Sequence, residues 1–171
     1  MSKNIEIKAK VNLSIVEEKV KKLQNISNPE IIIQEDVFFF HNEGRLKLRK
    51  FTNGNSELIF YKRSDDYGPK TSDYQIYKSS NTSELESFLN NSFGMRGIVK
   101  KIRKLYLYKN TRIHLDKVDN LGEFLELEVM VIENYSLHEC QKIADELISY
   151  LEITNEMLID KAYIDLLEDQ N

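Results

Sequence analysis

Four stretches of the chain share one pattern. In NIEIKAK (4–10), RLKLRKF (45–51), TRIHLDKV (111–118) and EFLELEV (123–129), apolar and polar residues alternate with a period of two. That is the period of a β-strand, whose successive side chains leave opposite faces. Each such strand is greasy on one side and charged on the other. The greasy sides must be buried together, which demands a sheet with helices laid over its apolar face.

The rest of the chain supplies the remaining strands and those helices. IIIQEDVFFF (31–40) reads as a strand and HNEG as the turn after it. TNGN is a hairpin signal, with ELIFYKR (57–63) as the returning strand. SDDYGPK (64–70) reads as a loop before the strand TSDYQIYK. Further strands fall at 98–109, 111–118 and 122–132, joined by KN (109–110) and VDNLG. A helix is expected over 13–23, where Ser14 and Glu17 have capping-box spacing and Leu13, Val16, Val20 and Leu23 form a stripe. A second covers 83–93. A third runs from Ser136, with Glu139 as its capping partner, to Tyr150, and a short helical tail follows. About eight strands with three main helices make an α+β chain, and 171 residues make one domain, 1–171.

Composition excludes several function classes. The formal charge of −4 is a poor basis for nucleic-acid binding, so any anion site must come from local clustering of bases. The single cysteine, Cys140, allows no internal disulfide and no cysteine metal cluster; on a helix, it reads as a small core residue. No apolar run reaches the roughly 18 residues of a membrane span. The start, MSKNIEIK, lacks a signal peptide's apolar segment, which makes the cytoplasm the expected compartment.

The charged parity can be read strand by strand. It carries Glu6, Lys8 and Lys10; Arg45, Lys47 and Arg49; Glu57, Tyr61 and Arg63; Lys101 and Arg103; Arg112, His114 and Asp116; Phe124, Glu126 and Glu128. Two folds satisfy this. One is an open sheet with a wet charged face. The other is a closed barrel whose charged face lines a tunnel. Alternation alone does not separate them. The density of Arg and Lys on neighbouring strands favours the tunnel, because like charges side by side are costly unless a polyanion neutralises them. Arginine suits bidentate phosphate contacts, and Glu6, Asp116, Glu126 and Glu128 are the donors a hard divalent ion requires.

IEIK, GRLKLR, TRIHLDKV and LGEFLELEV, in this order, resemble the CYTH family, the triphosphate tunnel metalloenzymes that include class IV adenylate cyclases and thiamine triphosphatases. The likeness extends over nearly the whole chain, through GPKTSDY and KAYIDLL. It implies a closed eight-stranded antiparallel β-barrel with helices packed outside, binding a triphosphate with Mg²⁺ or Mn²⁺. It implies Glu6, Glu126 and Glu128 as metal ligands with Asp116 beside them. The expected phosphate grip is Lys8, Lys10, Arg45, Lys47, Arg49, Arg63, Lys101, Arg103 and Arg112, with Lys161 and Tyr163 in a tail that can close one mouth. Lys8, Arg49, Glu126 and Glu128 are the expected catalytic residues. The chain departs from the family's Glu-x-Glu-x-Lys signature at one place: the first Glu is Asn4, a neutral donor.

His114 reads either as a general base or as a hydrogen-bonded wall residue. Ser72 and Tyr74 are candidates to touch a substrate's organic end. The expected activity is metal-dependent hydrolysis of inorganic tripolyphosphate, thiamine triphosphate or a nucleoside triphosphate. The alternatives are an adenylate cyclase releasing pyrophosphate, a binding domain without turnover, and a purely structural barrel. The expected partner is a small triphosphate, not nucleic acid or membrane, and the chain is expected as a monomer or homodimer.

Overall fold

The structure, a computed structural model, describes residues 2–63 and 69–171, and only the backbone of Arg63. Eight strands run β1 (Ser2–Lys10), β2 (Glu30–Phe39), β3 (Arg45–Phe51), β4 (Ser56–Arg63), β5 (Lys70–Ser79), β6 (Met95–Tyr108), β7 (Thr111–Val118) and β8 (Gly122–Met130). They pair in the order β1-β5-β4-β3-β2-β6-β7-β8 and close back on β1. Every pairing is antiparallel. The expected closed barrel is therefore the observed one. The loop expected over 64–70 lies largely outside the described residues.

The greasy outer wall is covered on two sides. Helices α1 (Leu13–Val20) and α3 (Leu137–Tyr150) lie over β1, β7 and β8. There Val16, Val20, Cys140, Ile143 and Leu147 pack with Ile5, Ile7, Ile113, Leu115, Leu125 and Leu127. Each such aliphatic side chain, fully buried, is worth about 1.5–3 kcal/mol, so this cluster is the main anchor of the fold. Cys140 sits in it as a small core residue. Helix α2 (Thr82–Phe93) places Leu89 against Val37, Phe39, Leu46 and Leu48 on the β2–β3 side.

The capping box expected at Ser136 is present in both directions, with Glu139 N–H donating to Ser136 Oγ and Ser136 N–H to Glu139 Oε2. The one expected at Ser14 is not. Asn12 caps α1 instead, accepting from Ile15 N–H at 3.2 Å, while Glu123 of β8 accepts from Leu13 N–H at 2.9 Å. The neighbouring strand thus helps to place the cap two residues before the local signal, while the helix begins at Leu13 as expected. Glu17, freed from capping, accepts from Lys104 and from the Tyr106 hydroxyl. Gly54 (φ +86°) makes the expected β3–β4 turn.

A short helix, α4 (Tyr163–Glu168), and the segment leading into it fill one mouth of the barrel. Ala162, Tyr163 and Ile164 pack on Phe38, Val99, Val118 and Phe124. Gly97 permits this approach: a Cβ there would lie 2.6 Å from Ile164 Cδ1. Ile159 N–H donates to the Lys8 carbonyl, so the tail is stitched to β1 as well.

Candidate active site in the tunnel

Strand register fixes which side chains meet inside. Across β7, β8 and β1, His114 stands opposite Glu126 and Glu126 opposite Lys8; Arg112 stands opposite Glu128 and Glu128 opposite Glu6. Direct partners in an antiparallel pair share a face. These residues line a cavity of about 390 Å³ together with Lys47, Arg49, Lys101 and Arg103.

The basic wall is assembled by two buried aspartates. Asp116 accepts from Arg103 through both oxygens at 2.7 Å, from Lys101 at 3.3 Å and from the Tyr163 hydroxyl at 2.9 Å. Asp36 accepts from Arg49 through both oxygens at 2.9 Å and from Lys47 at 2.8 Å. Burial alone would raise both carboxyls, but these cations pull each well below the carboxylate range. Burial, with Arg103 adjoining, pushes Lys101 down to about 8. Burial likewise lowers Lys47, with Arg49 adding to the effect. The cavity thus concentrates cations that lack the hydration they would have in water, the state in which an anion binds best.

At the centre, His114, Glu126 and Glu128 each offer one ligand atom, and these atoms lie within 4.8 Å of one another. Burial, then the nearby Arg103, pushes His114 down to about 3, so the imidazole is neutral and can donate a lone pair. Its Nδ1 is buried without a hydrogen-bond partner among the described residues. Burial would raise Glu126, but Lys8 and Arg103 keep it below the carboxylate range. Arg103 reaches Glu126 at 3.2 Å, and Arg112 Nε lies 2.8 Å from Glu128. One nitrogen and two ionised carboxylates suit a divalent ion. Asn4 lines the same cavity with its buried Oδ1 lacking a hydrogen-bond partner among the described residues, so it can serve as a further neutral donor.

The other expected site residues fall in different places. Glu6 lines the cavity, opposite Glu128. Asp116 lies behind the wall, its oxygens engaged as above. Lys8 Nζ lies 4.0 Å above the Tyr163 ring and donates to the Lys161 carbonyl at 3.2 Å. Arg45 is half-buried at the plugged mouth, paired with Asp165 of α4 at 2.8 Å. Lys10 is exposed, with its ammonium 5.9 Å from the Phe124 ring. The Lys161 side chain is exposed and bonded to Asp169. Arg63 closes β4 opposite Ser72, but its side chain is outside the described residues. Ser72 is fully buried beside Asn4, and Tyr74 lines the cavity.

Sequence reasoning missed Asp36 and Lys70. Asp36 and Gln34, two apart on β2, are buried polar residues inside an apolar run, and that spacing was the available signal. Lys70, the first residue of β5, is buried and donates to the Asp160 carbonyl at 2.7 Å. No alternation precedes it to reveal its direction.

A closed antiparallel barrel whose charged interior unites a basic wall with a compact carboxylate–imidazole group defines a charged tunnel. The CYTH domain profile matches residues 2–163, and the chain belongs to the CYTH family. A protein of Methanocaldococcus jannaschii provisionally named an adenylate cyclase is 27% identical over 95% of this chain and 98% of its own. The structure of the PH1012 protein of Pyrococcus horikoshii superposes with a TM-score of 0.82 at 27% identity, covering 95% of this chain and 98% of that one. A Hippeastrum protein, described as an adenylyl cyclase candidate with a dominant triphosphatase activity, shares the fold at a TM-score of 0.70 and 11% identity, over 100% and 97% of the two chains. Among the described residues, no helix is long and apolar enough to cross a membrane.

Proposed function

We propose that the chain is a metal-dependent triphosphatase. The reading rests on one juxtaposition: the His114–Glu126–Glu128 group faces the cations organised by Asp36 and Asp116 inside a single closed tunnel. Lys8, Lys47, Arg49, Lys101, Arg103 and Arg112 hold the non-bridging phosphate oxygens, with the arginines fixing orientation through paired N–H donors. In hydrolysis, a water oxygen forms a bond to the terminal phosphorus as the bond to the bridging oxygen breaks. The side chains bearing on that bridging oxygen stabilise its growing charge. His114, Glu126 and Glu128 would hold Mg²⁺ or Mn²⁺, with Glu6 and Asn4 adjacent; the ion supplies charge neutralisation at the phosphates. Asp116 acts in this scheme by positioning Arg103 and Lys101.

The relatives carry both cyclase and triphosphatase names, and the same grip serves either reaction. Product analysis separates them. The protein is incubated with Mg²⁺ or Mn²⁺ and tripolyphosphate, thiamine triphosphate or ATP in turn. Release of orthophosphate supports the triphosphatase. Cyclic AMP with pyrophosphate replaces it by the cyclase, and tight binding without turnover replaces both by a binding domain. The paired substitution Glu126→Gln with Glu128→Gln is expected to lower turnover at least about 100-fold with the circular dichroism spectrum retained. Wild-type turnover in that variant would refute the ligand assignment.

A further inference from the structure

Strand β2 turns Ile32, Gln34, Asp36 and Phe38 into the tunnel. Gln34 is 4% exposed, and its Oε1 is buried with no hydrogen-bond partner among the described residues. Such an acceptor costs stability unless a ligand or a water completes it, so its presence inside a cavity calls for a role.

The neighbours of Gln34 narrow that role. Lys101 of β6 and Phe51 of β3 stand directly opposite it. On the same face of β2, the next residue in one direction, Asp36, stands opposite Arg49, and the next in the other, Ile32, opposite Arg103. Gln34 therefore sits between the two arginines that Asp36 and Asp116 grip. Arginine and lysine side chains only donate. The oxygens of Asp36 and Asp116 are engaged by Lys47, Arg49, Lys101 and Arg103. Gln34 Oε1 is thus an acceptor that the cationic wall has not committed. A carboxylate in its place would draw an adjoining cation and be consumed as those two are, whereas a neutral amide stays available. The torsion that carries the amide is broad and nearly two-fold, so Oε1 can turn to the tunnel without moving the chain.

Water reaches the wall from the same end. The tail packs on Phe38 and fills that mouth. The other end of β2 opens into a second cavity that Ile32 and Phe51 also line. Past Glu30 at the rim and the apolar Ile32, Gln34 is the first polar side chain that β2 presents to water entering there.

We propose that Gln34 is a catalytic residue of triphosphate hydrolysis: its Oε1 accepts a hydrogen bond from the attacking water and aims that oxygen at the terminal phosphorus. The proposal rests on the triphosphatase reading above. The water oxygen bonds to phosphorus as the bond to the bridging oxygen breaks, and the leaving diphosphate group takes that electron pair. One water proton stays on the orthophosphate formed. The other passes to an oxygen of the phosphate chain, since the amide accepts a hydrogen bond but not the proton. Arg49 and Arg103 hold phosphate oxygens on either side while the water is set between them.

The test compares the wild type with Gln34→Leu and Gln34→Met. Turnover is measured with Mg²⁺ or Mn²⁺ on whichever of tripolyphosphate, thiamine triphosphate and ATP the wild type hydrolyses. Binding of the same compound with Ca²⁺ is measured by calorimetry, and thermal unfolding beside it. Both variants are expected to lose about 100-fold in kcat, with KM and the calorimetric Kd changed less than about threefold. Both are expected to melt at or above the wild-type temperature, because an apolar group replaces a buried acceptor that had no partner. Gln34→Met, unbranched like glutamine, carries the test if Gln34→Leu fails to fold.

Unchanged kcat in the variants overturns the proposal and leaves the triphosphatase reading standing. So does a raised KM at wild-type kcat, which would make Gln34 a binding group, or a loss of kcat together with a lowered melting temperature, which would make it structural. A wild type that hydrolyses none of the three compounds, or that forms cyclic AMP instead, removes the triphosphatase reading and the proposal with it.

Discussion

Asp36 on β2 and Asp116 on β7 perform the same local task. Each grips one arginine through both carboxylate oxygens and one lysine beside it. Their surroundings differ. The side chains of Lys101 and Arg103 are 3% and 4% exposed, whereas those of Lys47 and Arg49 are both 13% exposed. Asp116 also accepts from Tyr163 of the tail, and its Arg103 continues to Glu126 of the candidate metal group. Asp36 therefore neutralises one wall. Asp116 joins three parts of the molecule, namely the wall, the plug and the carboxylates. The same residue type in the same pairing becomes a local counter-ion or a hub according to what its partners touch next.

The largest effect that tests this contrast is on stability. Removing one partner of a buried ion pair leaves an uncompensated charge and costs about 3–5 kcal/mol. Asp116→Ala is expected to fall in that range by urea denaturation. Asp36→Ala should cost less, because Lys47 and Arg49 stand nearer to water and can regain hydration. If Asp36→Ala costs as much as Asp116→Ala, burial of the stranded cations does not set the difference.

The contrast also shows what a sequence can reveal. The alternation of β1, β3, β7 and β8 exposes Glu6, Lys8, Lys47, His114, Glu126 and Glu128 directly, since each has apolar neighbours on both sides, and Arg49 by its place two residues after Lys47. β2 hides Asp36 because both its parities are apolar. Ile31 and Ile33 face outward, 66% and 54% exposed, while Ile32 faces the tunnel. Closure was not legible from periodicity, because an open sheet alternates in the same way; the density of bases and the family likeness supplied it. The tail was half legible. Its place near a mouth followed from the likeness. Its contacts with Lys8 and Lys70 run through the Lys161 and Asp160 carbonyls, and backbone atoms leave no mark in a sequence.

A smaller effect sharpens the hub assignment. Burial, then the charge of Asp116, raises the Tyr163 hydroxyl well above its ordinary range, so it stays protonated and donates. Hydrogen bonds to charged groups are worth about 1.5–3 kcal/mol, and Tyr163→Phe is expected to lose a comparable amount. A double-mutant cycle with Asp116→Asn should then show clear coupling, whereas the cycle with Asp36→Asn should be close to additive. Equal coupling in both cycles would show that the plug acts on the wall as a whole and not through Asp116.

The smallest expected effect concerns the plug's outer latch. Asp165 of α4 pairs with Arg45 at 2.8 Å and Arg96 at 2.7 Å, and Arg96 also holds Glu168. Burial would raise the Asp165 carboxyl, but Arg45 and Arg96 lower it below its ordinary value. A carboxyl whose pKa is lower folded than unfolded stabilises the fold above the unfolded value, near 3.9, and loses that contribution as pH falls through the folded one. The latch is thus complete at neutral pH and released only in acid. These side chains are partly exposed, so Asp165→Asn should cost only about 1 kcal/mol at pH 7. The loss should appear first as faster amide exchange in Tyr163–Glu168, and the difference from wild type should vanish at the acid end. A cost that persists unchanged below the folded pKa would mean that the hydrogen bond Asp165 accepts from Ala162 N–H, and not the ion pair, carries the latch.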